Sequence, residues 1–508
     1  MIEYLMGIDI GTSACKIAVF AEDGTVIDSE SGDYAVYYPN PGWAEQDPDE
    51  WWTAVCGAVR RIFARGRLKP QDISGIGIDG QSWSAIPVDS EGNVLAKTPI
   101  WFDMRAAGIC EELNSRIGKD RIFAVAGNPL SPSYTTPKII WYRQNRPEIF
   151  GKIDKILQSN AYICYRLTGQ ITQDLSQGYG LHCFNAAAGK WDAAMAEELG
   201  IPMSFLPDIV PCDHVAGGVT KKASEETGIP EGVPVVAGGL DACCGTLGAG
   251  VVSEGETQEQ GGQAGGMSIC LDTPKADPKL ILSFHVVPGK WLLQGGTTGG
   301  GGVMRWLEQQ LGEAERMKSA ENGKSSLQQF NDLAEKVPAG SEGLIFLPYM
   351  AGERSPIWDP DAKGVYFGLD FSKTKGHLIR AAMEGVAFAL RHNLDTAEKA
   401  GAKAGELRAM GGSANSVLWT QIKSDVTGRP IAVPSSDTAT TLGAALLAGV
   451  GTGMYADYRE AVNRTVKITR RHEPNPAMQE VYEKNYEIYL QLYENLKDLM
   501  KKDGGSRK

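Results

Sequence analysis

The strongest constraint on how this chain folds is that it opens twice in the same way. At the N-terminus the apolar run Gly7-Ile8-Asp9-Ile10 breaks at Gly11-Thr12-Ser13 and resumes over Ile17–Phe20. An Asp23-Gly24 turn and a further extended stretch, Thr25–Ser29, follow. Asp-Gly between apolar runs is the strongest short-range hairpin signal. Much later, Thr257–Leu271 repeats the plan, with Gly261-Gly262-Gln263-Ala264-Gly265-Gly266 turning between two candidate strands. A chain of 508 residues exceeds what one core sustains, since cores split beyond about 250–300 residues. Two similar α/β domains are therefore expected, 1–250 and 251–508, with Gly245–Gly255 as the link and gene duplication as the economical origin.

The intervening segments read as helices and further strands. Asp47 is placed to cap a helix that has Pro48 at its first position and buries Trp51, Val55, Val59, Ile62 and Phe63 at helical spacing. Strands are expected at Ile73–Ile78 and Ser84–Val88, and a helix over Lys138–Arg146 that stops before Pro147. His377–Leu394 carries Leu378, Ala382, Val386, Leu390 and Leu394 on one stripe. The C-terminal helix, 476–500, does the same with Met478, Tyr482, Tyr489, Leu492, Leu496 and Leu499, and is expected to pack back on the second domain.

Composition removes several function classes. The net charge of −12 opposes nucleic-acid binding, which needs a basic face to displace counterions. Nine cysteines without a CxxC pattern suit a reducing cytoplasm, and no targeting segment is visible. The longest uncharged run, Thr438–Ala456, is rich in Gly, Ala and Thr and reads as a buried helix and loop, not a membrane span. Six scattered histidines make no zinc pattern, and neither GxxxxGK[ST] nor GxSxG occurs. Gly75-Ile76-Gly77-Ile78-Asp79-Gly80 matches GxGxxG, but a strand-like segment follows where a dinucleotide fingerprint requires a helix.

Three segments carry candidate chemistry. Asp241, in Gly238-Gly239-Leu240-Asp241-Ala242-Cys243-Cys244-Gly245, follows the apolar run Val233–Ala237 and is ringed by small residues that would admit a substrate. Asp9-Ile10-Gly11-Thr12-Ser13-Ala14-Cys15-Lys16 gathers a carboxylate, two hydroxyls and a cation, suited to Mg²⁺ and a triphosphate. Taken alone it is equally a capped hairpin turn. Arg408-Ala409-Met410-Gly411-Gly412-Ser413 is either an ordinary strand-to-helix loop or a shelf whose missing side chains admit a nucleotide. Together they point to a nucleotide-dependent enzyme.

On these residues the chain resembles the FGGY family of carbohydrate kinases, across nearly its whole length. Gly364-Val365-Tyr366-Phe367-Gly368-Leu369, seven residues, then His377 to Glu384 fits the family's second signature; Ser133 to Trp141, with Lys138, nearly meets the first, Tyr142 departing from it. Leu347-Pro348-Tyr349, Gly352-Glu353-Arg354 and Trp419 to Pro430 are also family-like, and Pro41-Gly42-Trp43-Ala44-Glu45-Gln46-Asp47-Pro48 is most similar to the xylulokinase branch. The resemblance implies two ribonuclease H-like, actin-like ATPase domains with an active-site cleft between them, ATP and Mg²⁺ as cofactors, and a small-molecule sugar as acceptor, D-xylulose or a related ketose first. It implies Asp241 as catalytic base, Asp9 as metal-supporting acid, and Thr12, Ser13 and Lys16 as the first phosphate turn. It further implies Gln263 as the second phosphate turn, Gly301 as an ADP-contacting glycine, and Gly411-Gly412 as the adenosine turn. Ser82, Trp83, Asp103 and Asp241 would face the sugar, with Trp101 and Arg105 nearby, and a homodimer is in keeping with the family.

Three departures bear on the substrate. Gln81-Ser82-Trp83-Ser84 stands where xylulokinases usually have Gln-Met-His-Gly, Ala242 where they have Asn, and Gly261-Gly262-Gln263-Ala264-Gly265 where they have Leu-Gly-Thr-Ser-Gly. The first two remove polar contacts from a site that discriminates through hydroxyl hydrogen bonds. Trp83 is either a stacking platform for the sugar or a core residue. Another ketose, a polyol or a sugar acid therefore stays open as substrate, as does an actin-like nucleotide-gated binding protein that needs no sugar.

Overall fold

A computed structural model of the chain describes residues 3–435 and 438–503. It divides into two compact units, each assembled from separate stretches. The first takes the chain up to Ser253, then Leu271–Leu292 and Thr438–Lys467; the second takes Glu254–Cys270, Leu293–Asp437 and the chain from Ile468 on.

The first unit is built on a mixed sheet. Its strands run Val215–Gly218, Pro234–Val236, Ile73–Gly80, Tyr4–Ile10, Ala14–Phe20 and Val26–Asp33 in spatial order, and Gly239–Leu240 pairs beside Ile73–Gly80. Tyr4–Ile10 lies parallel to Ile73–Gly80 and antiparallel to Ala14–Phe20. The second unit repeats that plan. Thr257–Gly261 is antiparallel to Gly265–Leu271 and parallel to Leu407–Met410, which lies parallel to Ile431–Pro434, with Ile468–His472 antiparallel at the edge. Both sheets thus place a first strand between its hairpin partner and a parallel neighbour.

Alternation along the first strand explains its packing, because successive side chains point to opposite faces. Met6, Ile8 and Ile10 join the core with Trp51, Val55, Val59 and Ile62 of the helix Pro48–Ala64, which Asp47 caps through the Asp49 amide. The odd positions face the helix Ala439–Gly451, the long uncharged segment of the sequence. There Gly7 and Gly77, paired across the sheet, let the helix backbone come close. A Cβ on Gly7 would sit 2.0 Å from the Thr441 carbonyl oxygen, and one on Gly77 1.7 Å from that of Ala444. Gly443 and Gly248 make equally close approaches between this helix and Asp241–Gly248. The glycines of the GxGxxG match therefore serve helix-on-sheet packing within a strand.

In the second unit, Lys375–Lys399 is buried almost all round between Ile379 and Leu390, more deeply than a single stripe predicts. The C-terminal helix, Gln479–Asp503, is preceded by a 3₁₀ turn at Pro476–Met478. It buries Tyr482, Tyr486 and Tyr489, whereas Leu499, expected on the packed face, is exposed. Eight of the nine cysteines are buried and none is paired in a disulfide among the described residues. No helix of the described residues is long and apolar enough to cross a membrane.

Candidate active site

Three carboxylates converge in the first unit. Asp9 and Asp79 are cross-strand partners on the parallel pair, each two residues beyond the glycine that admits the Ala439–Gly451 helix. Asp241 is not at the end of an apolar strand, as its sequence setting suggested. It is the first residue of the helix Asp241–Gly248, directly after the short strand Gly239–Leu240 that pairs with Asp79 and Gly80. Its glycine neighbours answer to packing: a Cβ on Gly238 would lie 2.0 Å from the Ile78 oxygen, and Gly239 would press on Val286 and Ser176.

The electrostatics follow from burying like charges together. Asp79 is fully buried, and no protein group donates a hydrogen bond to either of its oxygens. Burial, then the charges of Asp9 and Asp241, hold its carboxyl well above the ordinary range. Burial also raises Asp9, against the influence of its neighbour Asp79 and of the Lys16 ammonium. Two carboxyls placed this close disfavour being ionised together. Asp241 is pushed up to about 7 by desolvation and then by Asp9, against the Ala242 amide that donates to its Oδ1 at 2.6 Å. Sequence reasoning gave Asp79 no role; the signal was its place as a second strand-ending acid, masked by the GxGxxG match.

Around these acids stand the first-unit candidates. Lys16 is the cross-strand partner of Asp9 and is exposed, like Ser13. Thr12 is partly held: its hydroxyl accepts from Trp101 Nε1 at 3.0 Å and its carbonyl from Gln46 Nε2 at 2.7 Å. Ser82 and Trp83 are half-buried. Trp83 adopts φ 62°, a left-handed conformation rare for a bulky residue, and its ring lies against that of Tyr134, tilted by 33° with centroids 4.2 Å apart. Asp103 differs from the expectation of a direct sugar contact. It is fully buried, and its oxygens already accept from the Ala44 amide at 2.6 Å and from the Arg105 amide and guanidinium. Arg105 also pairs with Glu45 and lies over the Trp43 ring, so this cluster locks the loop and offers a ligand no empty oxygen.

The second unit holds a cavity of about 430 Å³ lined by Gly261, Gly262, Gly301, Gly412, Ser413 and Trp419, with Met304, Asn331 and Met383 among its other walls. Three glycine turns press together to form one wall. A Cβ on Gly261 would meet Ser413 Oγ at 1.6 Å, one on Gly301 the Gly262 oxygen at 2.7 Å, and Gly411, at φ 83°, lies 3.0 Å from Gly261 by the same measure. Gly412 faces open space. The Gly301 and Gly302 amides are taken by the carbonyls of Gly262 and Gln263, so Gly301 offers the cavity its Cα, not a free donor. Gln263 is exposed at the turn and lines no part of this cavity. Beneath the turns, Lys423 pairs with Glu259 at 2.6 Å and donates to Ser413 Oγ at 2.7 Å, all three buried.

The first α/β unit thus carries an acid cluster, and the second, of the same topology, a glycine-walled cavity. Residues 4–248 match the N-terminal domain, and residues 267–452 the C-terminal domain, of the FGGY family of carbohydrate kinases. The chain belongs to this family, and it is an ATP-dependent carbohydrate kinase. It is similar to a xylulose kinase of Staphylococcus epidermidis, 30% identical over 98% of both chains. A gluconokinase of Bacillus subtilis is also 30% identical, over 98% of this chain and 96% of the relative. Among solved structures, a xylulose kinase from Rhodospirillum rubrum superposes with a TM-score of 0.88 at 30% identity, covering 98% of this chain and 100% of that one.

Proposed function

We propose that this kinase transfers the γ-phosphoryl group of ATP to a hydroxyl of D-xylulose or a related ketose, with Asp241 as general base. The observation that carries the reading is Asp241 itself, a carboxyl at a helix start whose proton affinity is lifted to about 7 by burial and Asp9. A base poised near the working pH suits deprotonation of an alcohol. The sugar oxygen bonds to the γ-phosphorus, its proton passes to the Asp241 carboxylate, and the bond from that phosphorus to the bridging oxygen breaks to release ADP. Because the proton leaves late in a loose transition state, a modest base suffices.

Magnesium fits the acids present. Asp79 offers two buried oxygens without donors and Asp9 an adjacent carboxylate, while no group of three or more metal-ligating side chains occurs among the described residues. Two carboxylates together with phosphate oxygens are how Mg²⁺ is ordinarily held. Bound there, the ion would neutralise charge on the phosphates. Thr12, Ser13 and Lys16 are assigned to the phosphates, Gly301, Gly411 and Gly412 to the adenosine, and Gln263 to the exposed turn beside it. Ser82 and Trp83 are assigned to the sugar, and Asp103 to holding their surroundings through Arg105. A sugar acid is the second reading, favoured by the gluconokinase relative and by Ser82-Trp83 in place of the xylulokinase pair. ADP release measured over D-xylulose, other ketoses, polyols and D-gluconate tests both. Sugar-independent release with no acceptor in the panel would defeat them.

A further inference from the structure

Lys138 is fully buried and carries a full set of donors with no carboxylate in its first contacts. Its ammonium donates to the carbonyls of Trp83 at 2.8 Å, Ile100 at 2.8 Å and Ser133 at 2.7 Å. An ammonium has three donors, so each is spent on a different loop. Two neighbours on the same helix start, Thr135–Asn145, reach the same place. Thr135 donates its hydroxyl to the Ser84 carbonyl at 3.1 Å and is itself held by Gln158 Nε2 at 3.0 Å. Tyr134, the residue before the helix, lays its ring against that of Trp83. The residue so clamped is the one in a left-handed backbone conformation, a state that persists only where surroundings over-determine it. The second loop leads straight into Trp101, whose indole nitrogen donates to Thr12.

We propose that Lys138 is a positioning residue of the sugar site, its ammonium tying loops 81–84, 100–105 and 131–134 into the arrangement that accepts the sugar, with Thr135 as the second tie. This rests on the reading above that Ser82 and Trp83 face the sugar. The three carbonyls favour the charged amine, against the burial that lowers its proton affinity, so what holds the ammonium is loop backbone and not a salt bridge.

The test uses the full chain with Lys138→Met and the milder Thr135→Val, D-xylulose and D-gluconate as acceptors, and KM measured separately for sugar and ATP. Lys138→Met is expected to raise the sugar KM roughly tenfold or more, and Thr135→Val about threefold, with the ATP KM within about twofold, as loosened positioning would give. Sugar and ATP KM values that move together, or neither moving, overturn the proposal. Should Lys138→Met fail to fold, Thr135→Val decides alone by the same criterion. Should the wild type phosphorylate neither sugar, the substrate reading fails separately. Amide hydrogen exchange then decides the clamp: Thr135→Val must speed exchange over 81–84 and 100–104 but not over 257–271, and unchanged protection there overturns it.

Discussion

The first strand of each unit holds the same place in the same strand order, and each carries an acid two residues before the glycine that opens its turn: Asp9 before Gly11, Glu259 before Gly261. Their surroundings are opposite. Glu259 is buried against the Lys423 ammonium, which is in turn held by Ser413. Asp9 is half-buried beside another acid, Asp79, and across the strand from the exposed Lys16. One carboxylate has been neutralised within the fold and fixes two glycine turns. The other pair is left short of positive charge, which a bound cation would supply. Equivalent topology therefore does not single out an acid; the unmet charge is what makes Asp9 the candidate and Glu259 a structural residue.

The comparison breaks most visibly at Asp241. Asp241→Asn keeps the shape of the side chain and removes the base, so kcat is expected to fall by about 10²–10⁴ with ATP affinity nearly unchanged. Wild-type-like turnover with sugar would refute the assignment. The second-unit acid should fail differently. Lys423→Met strands Glu259 as a buried, uncompensated charge, at a cost of about 3–5 kcal/mol, read by denaturant unfolding. Adding Glu259→Gln should recover a good part of that loss. No recovery would mean that the pair's charges do not explain the stability.

The two hairpins and the Asp47-capped helix were legible because local signals there agree with the final packing: periodicity, an Asp-Gly turn, Pro at a helix start. Asp241 stood out as a candidate for the same reason that it was misplaced locally; small residues on both sides read as a strand end, while pairing of Gly239–Leu240 with Asp79 and Gly80 leaves room for a helix to begin at the acid itself. The return of Ala439–Gly451 to the first unit depends on close approaches at Gly7 and Gly77, hundreds of residues away in sequence. No local pattern encodes that. Asp79 and the Lys423–Glu259 pair escaped notice, and Lys138 was read only as part of a family signature and a helix, for a related cause: each acquires meaning only from the partners that tertiary structure brings to it, or withholds.

A pH series sharpens the contrast between met and unmet charge. The folded value for Asp241, about 7, lies above its ordinary 3.8. The protonated carboxyl is therefore the better-tolerated form in the ligand-free protein. Its stabilising contribution is present in full below the ordinary value and is lost as pH rises through about 7. Asp241→Asn should accordingly match wild type near pH 4 and exceed it in Tm at pH 8, the gap opening between those values. A constant gap would show that burial of this group is relieved in solution.

The smallest effects belong to the two glycines of the adenosine turn, and they separate packing from ligand access. At Gly411, φ 83° and a Cβ contact of 3.0 Å to Gly261 mean that alanine is strained whatever the ligand. Gly411→Ala should lower Tm, with a cost of about 1 kcal/mol or more from the left-handed backbone alone. Gly412 has an ordinary backbone and nothing within 4 Å of a Cβ, which would project into space bordering the cavity. Gly412→Ala should leave Tm unchanged while raising the ATP KM about two- to fivefold by intruding on the adenosine, a loss of under about 1 kcal/mol. If the two substitutions gave the same pattern, Gly412 would be a packing glycine like its neighbour, and the cavity would have no demonstrated need of that missing side chain.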